Sequence, residues 1–131
     1  MRDIIMSVKA RHIRNMQMNH KRYELRKTRP SSGEARRVWL CQSGTGGQIT
    51  AAFTCREWVD LTDVDDMQVA RLGCVTAAEV RGYRRERDGR LWGWKIDEFE
   101  YFGRDSDRHI QDHGIYRPPQ SWCYEREERL T

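Results

Sequence analysis

No apolar run in this 131-residue chain approaches the ~18–20 residues that a membrane-spanning helix requires. Ile4-Ile5-Met6 is far too short for the apolar region of a signal peptide. The four cysteines, Cys41, Cys55, Cys74 and Cys123, form no Cys-x-x-Cys pair, so neither a zinc knuckle nor a redox centre has ligands at the usual spacing. Ser43-Gly44-Thr45-Gly46-Gly47 lacks the Gly-Lys-Ser/Thr ending of a phosphate-binding loop and reads as a hairpin turn. His109 and His113 have the spacing of some metal ligands, but no third ligand stands comparably close. These gaps point to a cytosolic chain with reduced thiols, no membrane contact, no cofactor and no metal.

What is present is charge and aromatic surface. Charged residues make up 34% of the chain and hydrophobic ones 37%, while five Trp, five Tyr and three Phe supply large apolar faces for a core. The length fits one domain over residues 1–131, because two cores of half this size would each be marginal. No internal repeat breaks the chain, and nothing in it specifies an oligomeric state. Charge is unevenly placed: residues 1–37 carry eleven Lys or Arg against three acids, a net +8, so the remainder is −4. A basic face favours polyanions through phosphate pairing and counterion release.

Local patterns give an element order. Arg2–Lys9 alternates as a strand with Met6 and Val8 inward, and Ala10, Ile13 and Met16 then recur at helical spacing with Asn19 as the stop. Residues 21–29 form a second strand closed by Pro30, and residues 37–42 and 48–59 form a hairpin around the glycine turn. A helix from Thr62 ends at Gly73, and Thr76-Ala77-Ala78-Glu79 is a capping box that starts another. Residues 91–102 make a strand whose inward parity slips, which predicts a bulge near Asp97-Glu98. An irregular stretch over 105–119 leads to a last strand around 121–125. The fold expected is α+β: a small barrel of about six strands, one helix after the first strand and two short helices in the middle.

Asn19-His20-Lys21-Arg22-Tyr23-Glu24-Leu25-Arg26 resembles the Gly-x-Lys-x-x-Glu-x-Arg signature of ASCH domains, with Asn19 in the glycine position. Met6-Ser7-Val8-Lys9 is similar to the first strand of that family. Gly114–Tyr124, with Pro118-Pro119-Gln120-Ser121-Trp122, is similar to the segment that leads into its last strand. The resemblance implies a PUA-like barrel with a cleft beside the first helix, and an RNA-binding or RNA-regulating role. Some members are hydrolases, either ribonucleases or amidohydrolases acting on a modified cytidine. In that second branch the position of Glu24 is a nucleophilic Thr, and a carboxylate cannot replace it as the attacking group.

For a binding module the candidate residues are Ser7, Lys9, Arg11, Arg14, Lys21, Tyr23, Glu24, Arg26, Gln120, Ser121, Trp122 and Tyr124. The cations would pair with phosphate, Glu24 would accept from a base edge, and Gln120, Ser121 and the aromatics would hydrogen-bond or stack. The bland reading of Glu24 and Arg26 is a surface ion pair worth ~0–1 kcal/mol. In a hydrolase, Lys21 would stabilise developing charge and Glu24 would be the general base, provided burial raises its pKa. Strict alternation puts Lys21 on the opposite strand face from Glu24, so a shared cleft needs irregular backbone before the strand. The partner expected is RNA or a nucleobase-containing ligand.

Overall fold

The computed structural model describes residues 2–86 and 88–126. Strands β1 (Ile4–Val8), β3 (Arg36–Gln42), β4 (Ile49–Cys55), β7 (Asp97–Tyr101) and β8 (Trp122–Tyr124) form one sheet in the order β7-β4-β3-β1-β8. Strands β2 (Tyr23–Arg26), β5 (Trp58–Asp60) and β6 (Trp92–Lys95) form a second in the order β2-β6-β5. Three helices, α1 (Ala10–Gln17), α2 (Asp66–Gly73) and α3 (Ala77–Arg85), complete the α+β fold with a 3₁₀ turn at Ile110–His113.

Two expectations need correction. Among the described residues there are eight strands rather than about six, because two long runs each divide between the sheets. The 48–59 run leaves the larger sheet after Cys55 and re-enters pairing in the smaller one at Trp58. The 91–102 run makes the reverse crossing at Ile96. The eight strands also form two sheets and not one closed barrel. A bend sharp enough to change sheets interrupts the backbone ladder, so one periodic run becomes two strands.

Local chemistry otherwise placed the elements well. Asn19 takes φ +64°, the left-handed conformation that lets it stand where the signature has glycine. Thr76 and Glu79 exchange both bonds of the capping box. Asp65 caps α2, so that helix starts at Asp66 rather than Thr62, and Cys74 closes it at φ +53°. In β7 the pairing runs Ala52 with Glu100 but Thr54 with Asp97, an extra residue on the strand around Glu98, whose φ is +48°.

β1 is central, parallel to β3 and antiparallel to β8. It is therefore buried on both faces, with Ile5 inaccessible as well as Ile4 and Met6. Ile4, Met6 and Val8 pack with Ile13 and Met16 of α1, Phe53 of β4 and Trp94 of β6 in the main core. A smaller core joins Leu25 of β2 to Val69 and Val80 of α2 and α3.

Candidate seam cleft

The two sheets do not pair along one line, between β2 and the β1–β8 edge. Arg26 spans that seam: its guanidinium donates to the Ser7 carbonyl at 2.7 Å and to the Ser121 hydroxyl at 3.0 Å. A cleft of about 530 Å³ opens beside this bridge. Ser7 and Val8 of β1, Lys9, Arg11 and His12 at the start of α1, Glu24, Leu25 and Arg26 of β2, and Lys27 and Thr28 just after it line the cleft. Tyr83, Glu86, Gln120 and Ser121 contribute from the other sides.

Lys21 and Glu24 come together because the backbone before β2 is irregular. The amides of His20 and Lys21 both bond back to the Asn15 carbonyl, at 2.9 and 3.1 Å, and β2 begins only at Tyr23. Lys21 Nζ thus lies 3.6 Å from Glu24 Oε1, while Arg26 lies 3.7 Å from Oε2. All three are largely withdrawn from water, so the exposed surface pair of the bland reading is not what forms. Lys21 donates to the Gly73 carbonyl at the end of α2 and does not line the cleft.

Burial works to raise the Glu24 carboxyl pKa, but Lys21 and then Arg26 hold it below the usual carboxylate range. It is an anion at neutral pH and a weak base. Its Oε2 is buried without a hydrogen-bond donor, and so is Nδ1 of His12 without a partner. Burial, reinforced by Lys21, lowers the His12 pKa to about 4, so the imidazole is neutral at pH 7. Burial also raises the Tyr83 phenol, keeping it a neutral donor on the cleft wall.

The predicted residues divide. Ser7, Lys9, Arg11, Glu24, Arg26, Gln120 and Ser121 line the cleft; Lys21 stands behind it. Ser7 Oγ donates to the Pro119 carbonyl and Arg11 pairs with Glu79 at 2.8 Å, so neither is idle. Arg14 is exposed and away from the cleft, and Tyr23 packs beside Gly93. Trp122 rests edge-on against Trp94 at 5.3 Å and donates its indole N–H to Thr28, while Tyr124 borders a different groove. His12 and Lys27 went unnoticed in the sequence. His12 was discoverable, because it shares the inward α1 stripe with Met16 at i, i+4, where a polar residue stands out.

His109 caps the 3₁₀ turn, accepting from the Gln111 amide, and His113 pairs with Glu125 at 3.0 Å. Among the described residues no group of three or more His, Cys, Asp or Glu could hold a metal ion, and no helix is long and apolar enough to cross a membrane.

A mixed five-stranded sheet and an antiparallel three-stranded one, with three helices and a cleft at the unpaired seam, define an ASCH-type fold. The structure of an ASCH protein from Zymomonas mobilis superposes with a TM-score of 0.71, covering 95% of this chain and 88% of that one, at 14% identity. A tyrosine-to-phenylalanine variant of that protein gives 0.69, and a serine-to-alanine variant 0.71, each at 14% identity and 95% coverage of this chain. The resemblance carried by the signature at residues 19–26 therefore holds at the level of the fold. By sequence, no family model and no curated protein matches the chain.

Proposed function

We propose that the seam cleft binds RNA, or single-stranded nucleic acid generally, with a nucleobase against its floor. The observation that carries this reading is the pair of unsatisfied polar atoms there, Glu24 Oε2 and His12 Nδ1. Buried polar atoms ordinarily have partners; both atoms are closed to water but belong to residues of the cleft wall, so a small shift of that wall would let the amino or imino groups of a base edge donate to the carboxylate oxygen. Gln120 and Ser121 would add hydrogen bonds from the opposite wall. Lys9, Arg11, Arg26 and Lys27 outnumber Glu24 and Glu86 around the opening, which suits phosphate. A hydrolase in the same cleft has less support, because Glu24 is a weak base and the Lys21 ammonium is turned towards Gly73.

Fluorescence anisotropy with RNA oligonucleotides across a salt series tests the reading. Binding at low ionic strength should weaken with salt, and Lys9→Ala combined with Lys27→Ala should reduce the logarithmic slope by about 1.4. Absence of binding at low salt, or an unchanged slope in the double variant, would remove it. Incubation with RNA and with acylated nucleosides, beside Lys21→Ala and Glu24→Ala, decides whether turnover occurs.

A further inference from the structure

The basic residues of the N-terminal third part company in the fold. Lys9, Arg11, Arg26 and Lys27 border the seam cleft. Arg2 and Arg36 instead gather at β8, the edge of the larger sheet, where each guanidinium carbon stands 5.2 Å from the Tyr124 ring centre. A second groove of about 540 Å³ follows that edge, and Arg2, Arg117 and Arg126 line it. Its floor is apolar, from Ile115, Pro119 and Cys123. Among the described residues no carboxylate lines it. The nearby Glu125 is engaged elsewhere, accepting from the Asp3 amide at 2.9 Å and pairing with His113.

Tyr116, also in this groove, is 74% exposed, more than any other large hydrophobic side chain described. An aromatic left open beside three arginines offers a stacking face flanked by phosphate donors, the combination that holds single strands without reading sequence. The groove also adjoins the cleft. Pro119 lines the groove and Gln120 lines the cleft, so one peptide bond separates the two sites.

We propose that this groove is a second nucleic-acid site, in which Tyr116 stacks on a base while Arg2, Arg117 and Arg126 hold phosphates. A strand seated in the cleft passes over Pro119-Gln120 onto the β8 edge. The continuity rests on the cleft reading; the ligand chemistry of the groove does not. An extended peptide adding to the sheet edge would use the apolar floor but leave three arginines unanswered, which favours the polyanion.

The test uses the full chain, a nucleoside monophosphate, and a single strand of about 12 nucleotides. Tyr116→Ala should bind the long strand about five- to a hundred-fold more weakly, and Arg117→Ala with Arg126→Ala should lower its salt slope by about 1.4. Both should bind the monophosphate as the parent does. A strand containing 4-thiouridine should photocrosslink to Tyr116. Parent-like affinity and slope for the long strand in both groove variants would overturn the proposal, as would an acidic peptide that occupies the groove while the oligonucleotide does not. If the groove variants behave as the parent and Lys9→Ala with Lys27→Ala loses binding, the cleft reading stands alone. The opposite pattern removes the cleft and keeps the groove.

Discussion

Arg26, on the smaller sheet, donates to the carbonyl of Ser7 on the larger one at 2.7 Å, where no strand ladder joins the two. The same guanidinium reaches Ser121 and faces Glu24. One side chain thus stands in for a missing row of backbone bonds.

Arg26→Ala should lower the unfolding free energy by about 3 kcal/mol, because it removes charge-assisted bonds across the seam and takes one cation from a buried carboxylate. Arg26→Lys should recover only part, since an ammonium cannot reproduce the planar fork. Urea denaturation measures both; an alanine variant as stable as the parent would show that the seam is held by its other contacts, the Trp122–Thr28 hydrogen bond and packing.

Stability should fall with acid between pH 6.5 and 4. His12 in the folded chain resists protonation down to about pH 4, whereas the unfolded chain takes up the proton near 6.5. The unfolded state therefore binds more protons in this window, and stability rises with pH. The effect amounts to at most about 3 kcal/mol. Glu24 acts in the same direction at lower pH, its contribution fading as pH drops through its depressed folded value. His12→Leu should flatten the upper part of the profile in denaturation series at pH 7 and pH 4.5, and an equally steep profile in that variant would assign the dependence elsewhere.

Gly73→Ala should cost about 1–3 kcal/mol. A Cβ there would stand 2.6 Å from Leu25 Cδ1 and 2.7 Å from its Cγ, too close for α2 and β2 to keep their spacing. The displaced Gly73 carbonyl would also disturb Lys21, so a thermal shift should appear together with weaker ligand binding. A variant that melts with the parent would mean that Leu25 has room to turn.

Arg84 grips the loop ahead of α2, pairing with Asp66 at 2.7 Å and donating to the carbonyls of Leu61, Thr62 and Val64. Arg84→Lys should destabilise by about 2 kcal/mol. Faster amide exchange confined to residues 61–66 should accompany the loss; uniform exchange across the chain would point to a global effect.

Part of the site was legible because its signals are local. The Asn19 turn and the last-strand segment through Gln120-Ser121 could be read in order along the chain. The condition for Lys21 to approach Glu24, irregular backbone before β2, followed from strand alternation and is met. What could not be read is where Arg14, Trp122 and Tyr124 would point. Strand parity gives two faces, but Trp122 finds Trp94 and Thr28, and Tyr124 finds Arg2 and Arg36, through contacts distant in sequence.

By itself the sequence determined the order of the three helices and of the strand runs between them, the capping box at Thr76, the left-handed stop at Asn19, the bulge near Glu98 and the excess of cations in the first third. Each of these depends on neighbours within about four residues, where φ/ψ preferences and side-chain periodicity act directly. Only the tertiary structure decided that two long strands would cross between sheets, that the two sheets would stay unpaired at a seam bridged by Arg26, and that the cations would divide between two grooves. Those outcomes depend on which surfaces meet after some ninety residues of intervening chain, as Arg26 and Ser121 do, and packing on that scale leaves no periodic trace in the residues that obey it.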